Sequence, residues 1–424
     1  MHAIGIDLGT TSICGVLMDT QTGKVLRSRT ENSNAFIDGA HFERKQNPEK
    51  IISLALEILE DLIDGETAAI GVTGQMHGIV YYDAAGKAVS PLYTWQDGRG
   101  NEPYGDTTYA GHLNSHSGYG HVTDFYNRTN GLVPADAIGY CTIHDYLVMR
   151  LCGLKEAQIH ISDAASFGCY DLETGKISYD CKLNVVNDYR IAGTYGDVPV
   201  SVAIGDNQAS VFSSLADPES VLVNIGTGSQ VSIVSDKIVQ APGIETRPYV
   251  EGKFLVVGSA LCGGRAYAVL KDFYKRLLGV EDDAVYTRMG QLLESVDSTE
   301  LKVDTRFSGS REDESLRGSI TGISTQNFTP ENLTYGFLDG MIKELFDLYQ
   351  LMGVKRTGLI ASGNGIRKNG ALQKVAERYF AAELRIPEHK EEAAYGAAIF
   401  ALIAAGLRKN ANDAQKLIRL KAKE

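Results

Sequence analysis

Two stretches of the chain carry the same pattern of apolar and polar positions. Ala3-Ile-Gly-Ile-Asp-Leu-Gly-Thr-Thr-Ser-Ile-Cys-Gly-Val-Leu17 and Val221-Leu-Val-Asn-Ile-Gly-Thr-Gly-Ser-Gln-Val-Ser-Ile233 each run as an apolar strand, a turn of glycines and hydroxyls, and a second apolar strand. One copy opens each half. After the first, residues 21–24 form a turn and 25–30 a third antiparallel strand. Asn47 and Pro48 then cap a helix whose apolar face is Ile51, Ile52, Ala55, Ile58, Leu59 and Leu62. Residues 70–73 and 79–82 read as buried strands, and 198–204 as an apolar strand leading to a helix over 209–215. In the second half, strands are expected over 255–261 and 359–362. Helices are expected over 266–278, from Thr329-Pro330 to Gly353, and from Asn369 onward. The small residues of Glu392-Ala-Ala-Tyr-Gly-Ala-Ala398 suit a closing helix packed tightly on a sheet.

Length sharpens this picture, because 424 residues exceed what one core supports and imply two domains of about 200 residues. The boundary is placed between 1–213 and 214–424. A hydrophobic content of 43% with 22% charged residues is that of a soluble globular chain. The net charge of −12 argues against a nucleic-acid partner, which needs a basic stripe. The most basic stretch, residues 419–423, reads as a solvated helix end, and the polar residues 305–315 as a surface loop. Six cysteines are scattered without a Cys-x-x-Cys pair, as expected for reduced thiols. The N-terminus runs straight into a strand and no segment has the length of a membrane span, so a cytoplasmic location without membrane partners is expected.

The chemistry lies in the turns. Glycine lets backbone N–H groups crowd around a phosphate, and Thr or Ser adds donors, so Gly9-Thr10-Thr11-Ser12 and Gly226-Thr227-Gly228-Ser229 could each cradle a polyphosphate. One such turn is equally an ordinary hairpin. Two copies imply a duplicated nucleotide-binding architecture with a cleft between the halves. They resemble the phosphate motifs of the actin, Hsp70 and sugar-kinase ATPase superfamily. Asp7, beside the first turn, offers a hard oxygen for Mg²⁺, whereas Asn224 in the equivalent place is uncharged, which puts the metal on the N-terminal side. The glycine-flanked loop Gly74-Gln75-Met76-His77-Gly78 is placed for ligand contact, although a lone histidine is more often structural. Trp95 beside Asp97 and Arg99 suits stacking on a sugar and bonding its hydroxyls. The other reading buries Trp95 in the core and pairs Asp97 with Arg99. Asp206, at the end of the strand over 198–204, is by pattern a helix N-cap or a carboxylate opening on the cleft. There is no Gly-x-x-x-x-Gly-Lys-Ser/Thr, Gly-x-Ser-x-Gly or His-Glu-x-x-His sequence, which disfavours P-loop enzymes, serine hydrolases and zinc proteases.

Gly74-Gln-Met-His-Gly78 followed by Trp95-Gln-Asp-Gly-Arg99 resembles the sugar-binding segments of the FGGY carbohydrate kinases. The likeness continues through Thr142-Ile-His-Asp-Tyr-Leu147, Leu151-Cys-Gly-Leu154, Ser162-Asp-Ala-Ala-Ser-Phe-Gly168, Ile204-Gly-Asp-Asn-Gln-Ala-Ser-Val-Phe212, Ser259-Ala-Leu-Cys-Gly-Gly264 and Tyr286-Thr-Arg-Met289. It covers most of the chain and is loosest over 105–137. The resemblance implies an α/β fold of two ribonuclease H-like, actin-like ATPase domains flanking a central cleft. The first domain would carry the sugar site and the second the nucleotide site. It implies transfer of the ATP γ-phosphoryl group to a primary hydroxyl of a ketose, with sedoheptulose first and xylulose next, ATP and Mg²⁺ being required. Asp206 would be the general base. Gln75, Met76, His77, Trp95, Asp97, Arg99, Tyr119 and Asn207 would face the sugar. Gly263 and Gly264, with Gly363, Asn364, Gly365 and Asn369, would join the two turns around the nucleotide, Asn364 standing where the family has a glycine. Monomer and homodimer stay open. A non-catalytic nucleotide-binding regulator of the same fold is the reading from another class, disfavoured by the presence of both Asp7 and Asp206.

Overall fold

The computed structural model describes residues 1–421 except 311, 312 and 314. Part of the polar loop expected over 305–315, and residues 422–424 of the basic tail, therefore lie outside the described residues. By packing, residues 1–216, 247–254 and 389–419 form one compact unit, and residues 217–246 and 255–388 with the strand from Leu420 form the other. The segment from His389 to Arg419 thus packs with the first unit and not with the half that chain order gives it. Among the described residues no helix is long and apolar enough to cross a membrane.

In the first unit, β1 (His2–Leu8), β2 (Ser12–Asp19) and β3 (Val25–Asn32) form the antiparallel meander that the alternation predicts. Helix α1 (Pro48–Leu62) follows, capped by Asn47, whose side chain accepts the Lys50 N–H at 3.1 Å. Its buried side chains include all six expected from helical spacing. Strand β4 (Thr67–Gly74) lies parallel to β1. Later come α2 (Ile143–Cys152), the short α3 (Ile161–Ser166), β5 (Ile191–Tyr195) and β6 (Val198–Ser201). They are followed by β7 (Ile204–Gly205) and α4 (Asp206–Ser214). The sheet order is β5-β6-β4-β1-β2-β3, with β7 also on β4. The strand expected over 198–204 is therefore two strands. Val200 pairs with Ile70 but Ile204 with Thr73, so one extra residue is accommodated between them, as in a β-bulge.

The second unit repeats the motif. Strands β8 (Ser220–Ile225) and β9 (Ser229–Ser235) form the second hairpin, with β10 (Ile244–Pro248) and β11 (Phe254–Ala260) beyond them, Arg247, Pro248 and Phe254 being grouped with the first unit. Helices α5 (Gly263–Leu278) and α6 (Pro330–Leu351) precede β12 (Gly358–Ser362), which lies parallel to β8 as β4 does to β1. Helix α7 (Gly370–Phe380), strand β13 (Leu384–Pro387) and strand β14 (Leu420–Lys421) complete it, in sheet order β10-β11-β9-β8-β12-β13-β14. Strand β14 corrects the solvated helix end expected for the tail, since Leu420 and Lys421 pair with Pro387 and Ile386.

The closing helix α8 (Glu392–Ala404) packs on the first sheet, backbone against backbone. A Cβ on Gly5 of β1 would run into the Ala394 carbonyl, one on Gly71 of β4 into the Ala397 carbonyl, and one on Gly396 into the Ala209 carbonyl of α4. Glycine is required there for approach, not for φ. We expect Gly71→Val to lose about 3 kcal/mol or more in urea unfolding, because backbone must shift to admit it. Gly65→Val, with nothing within 4 Å of its Cβ, should change stability by no more than about 0.5 kcal/mol. Equal losses at the two positions would contradict this packing.

Candidate active site

The register of the first sheet decides where two carboxylates stand. Asp7 on β1 and Ile204 on β7 both pair with Thr73 of β4, so Asp7 and Asp206 leave the same end of the sheet from strands flanking β4. The backbones of Asp7 and Ile204 are about 10 Å apart, two strand spacings, and Asp206 lies two residues beyond Ile204. Thr73 Oγ1 donates to the Ile204 carbonyl at 2.6 Å, tying β7 to that register. Asp206 is the first residue of α4, and the cap position belongs to Gly205. The N-cap reading of Asp206 is thereby replaced by a carboxylate at the positive end of a helix.

Both carboxyls are raised. Burial, with the Asp206 charge adding to it, lifts Asp7 to about 7, against an opposing pull from His144. Burial likewise lifts Asp206 to about 6, opposed by His144, by the Asn207 N–H it accepts and by Arg247. Each residue keeps part of its surface in solvent. Asp7 Oδ1 is buried without a hydrogen-bond partner among the described residues.

Around them the polar loops interlock. Trp95 donates from Nε1 to Thr10 Oγ1 at 2.9 Å, and Thr10 Oγ1 donates to Gln75 Oε1 at 3.4 Å. Gln75 in turn donates to Gln46, which donates to the Thr10 carbonyl. The turn Gly9-Thr10-Thr11-Ser12 is thus fixed to the Gly74–Gly78 loop and to an indole whose residue is 46% exposed, leaving its face open to a ligand. His77 holds a left-handed φ of 71°, which a side chain rarely adopts without surroundings that enforce it. The enforcers are Ser166, whose Oγ accepts the His77 N–H at 3.2 Å and whose carbonyl lies 2.7 Å from Nδ1, and Tyr119, stacked on the ring at 4.2 Å. A carbonyl only accepts, so Nδ1 carries the proton. Met76 is buried against Gly205, immediately before Asp206. Asn207 Oδ1 accepts from Arg247 Nη1 at 3.3 Å.

Two expected sugar contacts change role. Asp97 and Arg99 are each 1% exposed, and Arg99 Nε donates to Asp97 Oδ1 at 2.6 Å. Arg99 also donates to Asn127 and lies 4.2 Å over the Tyr93 ring, while Asp97 accepts the Arg44 N–H. Their hydrogen-bonding capacity is spent inside the protein, so they brace the loop that displays Trp95.

In the second unit, a cavity of about 1340 Å³ is lined by Gly226, Thr227, Gly264, Gly363, Asn364, Gly365 and Asn369 among others. Gly228 and Gly263 stand behind this lining: the Gly226 N–H closes the turn on the Gly228 carbonyl at 2.9 Å, and a Cβ on Gly263 would strike Ser229. A Cβ on Gly264 would strike the Gly226 carbonyl, and Gly363, at φ 86°, crosses close over Ile225. Asn369 caps α7 by accepting the Leu372 N–H at 3.0 Å. Asn224 donates to Ser362 Oγ at 2.7 Å, which uses it to join the strands.

The reading of the sequence assigned no role to Arg247, nor to three residues buried behind Asp206. His144 Nε2 lies 3.0 Å from Asp163 Oδ1, both side chains being fully buried, with Asp145 next to them. Burial disfavours the charged ring, but Asp163, Asp145 and Asp206 outweigh it and lift His144 to about 9. Only a tertiary fold could reveal this cluster, since His144 and Asp163 come from separate helices.

The N-terminal domain of the FGGY family of carbohydrate kinases matches residues 2–111, and the C-terminal domain of that family matches residues 221–405. The chain belongs to the FGGY family of carbohydrate kinases. The sedoheptulokinases of Mus musculus and Homo sapiens are each 27% identical to it, with 94% of this chain and 97% of those proteins aligned. The crystal structure of xylulose kinase from Rhodospirillum rubrum superposes over 100% of this chain and 94% of that one, with a TM-score of 0.86 at 20% identity, a likeness of fold.

Because the folded state raises the Asp206 carboxyl from 3.8 to about 6, it binds more protons than the unfolded chain in that window, and stability falls as pH rises through it. Asp206→Asn should therefore melt higher than the parent at pH 8 in metal-free buffer, the difference vanishing below about pH 4. A lower melting point at pH 8 would contradict the burial of that charge.

Proposed function

We propose that this kinase transfers the γ-phosphoryl group of ATP to a primary hydroxyl of a ketose, and that the ketose is sedoheptulose. The observation that carries the reading is the pair Asp7 and Asp206 at one end of one sheet, beside an exposed indole and a strained histidine. Near neutrality Asp206 is ionised yet basic enough to accept the hydroxyl proton as the oxygen–phosphorus bond forms and the bond to ADP breaks. Trp95 offers a flat face to the sugar, and His77 and Tyr119 set its orientation. In the second unit, the cavity takes the nucleoside, and the Thr227 N–H with the Thr227 hydroxyl takes phosphate oxygens.

Asp7 fits a magnesium ion: it is a hard oxygen donor, and its buried Oδ1 has no partner among the described residues. Mg²⁺ bound there would neutralise charge on the transferred phosphate. Thr10 and its neighbours supply the turn next to it. The 27% identity to the mouse and human sedoheptulokinases over nearly their whole length supports the choice of ketose.

A coupled ADP-release assay over sedoheptulose, xylulose and glycerol should show the highest kcat/KM with sedoheptulose and none in EDTA. Absence of turnover with every sugar would leave a nucleotide-binding regulator, and preference for xylulose would correct the substrate. Asp206→Asn should lower kcat by about 10²–10⁴-fold while nearly preserving both affinities. A variant keeping most activity would remove Asp206 from the chemistry. His77→Ala should raise the sugar KM about tenfold, the worth of one hydrogen bond, with the ATP KM unchanged. An unaltered sugar dependence would return His77 to a purely structural role.

A further inference from the structure

The short helix α3 touches both halves of the proposed sugar site through different residues. Ser166, at its end, holds the His77 backbone and ring. Ser162, at its start, accepts the N–H of Gly205, the residue immediately before Asp206, at 3.1 Å. Ser162 Oγ donates to Asp163 Oδ2 at 3.2 Å and lies 2.9 Å from His160 Nδ1. Asp163, between these two serines, sets its other oxygen 3.0 Å from His144 Nε2 on α2. That contact is an ion pair by distance, its angle departing from a linear hydrogen bond. His144 Nδ1 lies against Gly74, where a Cβ would come within 3.0 Å of it. The groups facing the ring are Asp163 on α3, Asp145 on its own helix, Asp206 on α4 and Asp7 on β1.

We propose that His144 and Asp163 are positioning residues for the phosphoryl-transfer site: their buried ion pair anchors α3, which fixes Gly205 before Asp206 and the backbone of His77, and supplies a cation behind the acceptor carboxylate in addition to Arg247. The proposal rests on Asp206 being the base in the reading above. Four carboxyls face this one imidazole. An unpaired buried charge is costly, so His144 serves the set and not Asp163 alone. The raised protonation of His144 and its opposition to the raised Asp206 carboxyl agree with this arrangement. The alternative for His144, Asp145 and Asp163 is chelation, since one ligand atom from each lies within 4.8 Å of the others. Lysine separates the two, because it restores a cation but binds no metal at neutral pH.

The test compares His144→Gln, His144→Lys and Ser162→Ala with the parent. His144→Gln should lower kcat about tenfold and move the acid limb of kcat up by about one pH unit, because Asp206 loses the charge that holds it ionised. The ATP KM should not move. His144→Lys should restore the limb, and Ser162→Ala should lower kcat without shifting it. Melting curves need no substrate. The imidazolium contribution is full below the unfolded value of 6.5 and is lost as pH rises through about 9, so the gap between parent and His144→Gln should be widest near pH 6 and close by pH 10. If Asp206→Asn is inactive while His144→Gln keeps the parental pH profile and melting gap, the positioning role fails and the kinase reading stands. If the parent phosphorylates no ketose, that reading fails and the melting arm alone decides the ion pair. Lysine as defective as glutamine, or stoichiometric metal lost with His144, would overturn the proposal. Should His144→Gln not fold, Ser162→Ala with unchanged kcat would do the same.

Discussion

Carboxylates held at the ends of buried strands constrain this molecule more than any other feature. Asp7 and Asp206 flank β4 at one end of the first sheet, with Asp145 and Asp163 behind them. Water would solvate such charges well, and the protein replaces it with an imidazole, a guanidinium and backbone N–H groups. The result is a pair of acids lifted toward neutrality. An acceptor carboxylate is useful in that range, being ionised at physiological pH while retaining affinity for a proton.

The scaffold serves that placement by close backbone approach. Helix α8 lies on β1, β4 and α4 through glycines and alanines, so the strand that carries Asp7 and the helix that starts at Asp206 lean on one common element. The bulge between β6 and β7 inserts a residue just before Asp206, and the Thr73 hydroxyl clamps the strand beyond it. Loops carry the groups that face a ligand, and rigid elements aim them. Trp95 shows the division well: its indole reaches Thr10 on one side, while Asp97 and Arg99 secure the loop beneath it.

Much of the fold was legible because its signals are local. Alternation and a glycine turn suffice for a hairpin, and the repeat of that hairpin foretold the repeated strand arrangement of β1-β4 and β8-β12. Asn47-Pro48 and Thr329-Pro330 marked helix starts by chemistry that needs no tertiary context. The bulge was hidden because Val-Pro-Val-Ser-Val-Ala-Ile fits one strand as well as two. The return of residues 389–419 to the first unit was hidden because packing partners distant in sequence leave no periodic trace. In the site, Trp95 and His77 could be singled out by composition and loop position. The fold takes half of each stated reading at this loop, pairing Asp97 with Arg99 while leaving Trp95 exposed instead of buried in the core. His144, Asp163 and Arg247 meet Asp206 only in space.

The central claim is that the alcohol to be phosphorylated sits against Asp206. A crystal structure of Asp206→Asn with sedoheptulose bound tests it most directly. The account predicts a primary hydroxyl oxygen about 3 Å from the residue 206 side chain, with the sugar against the Trp95 indole and the His77 ring. A sugar lodged elsewhere, or turned so that no primary hydroxyl reaches residue 206, would contradict it.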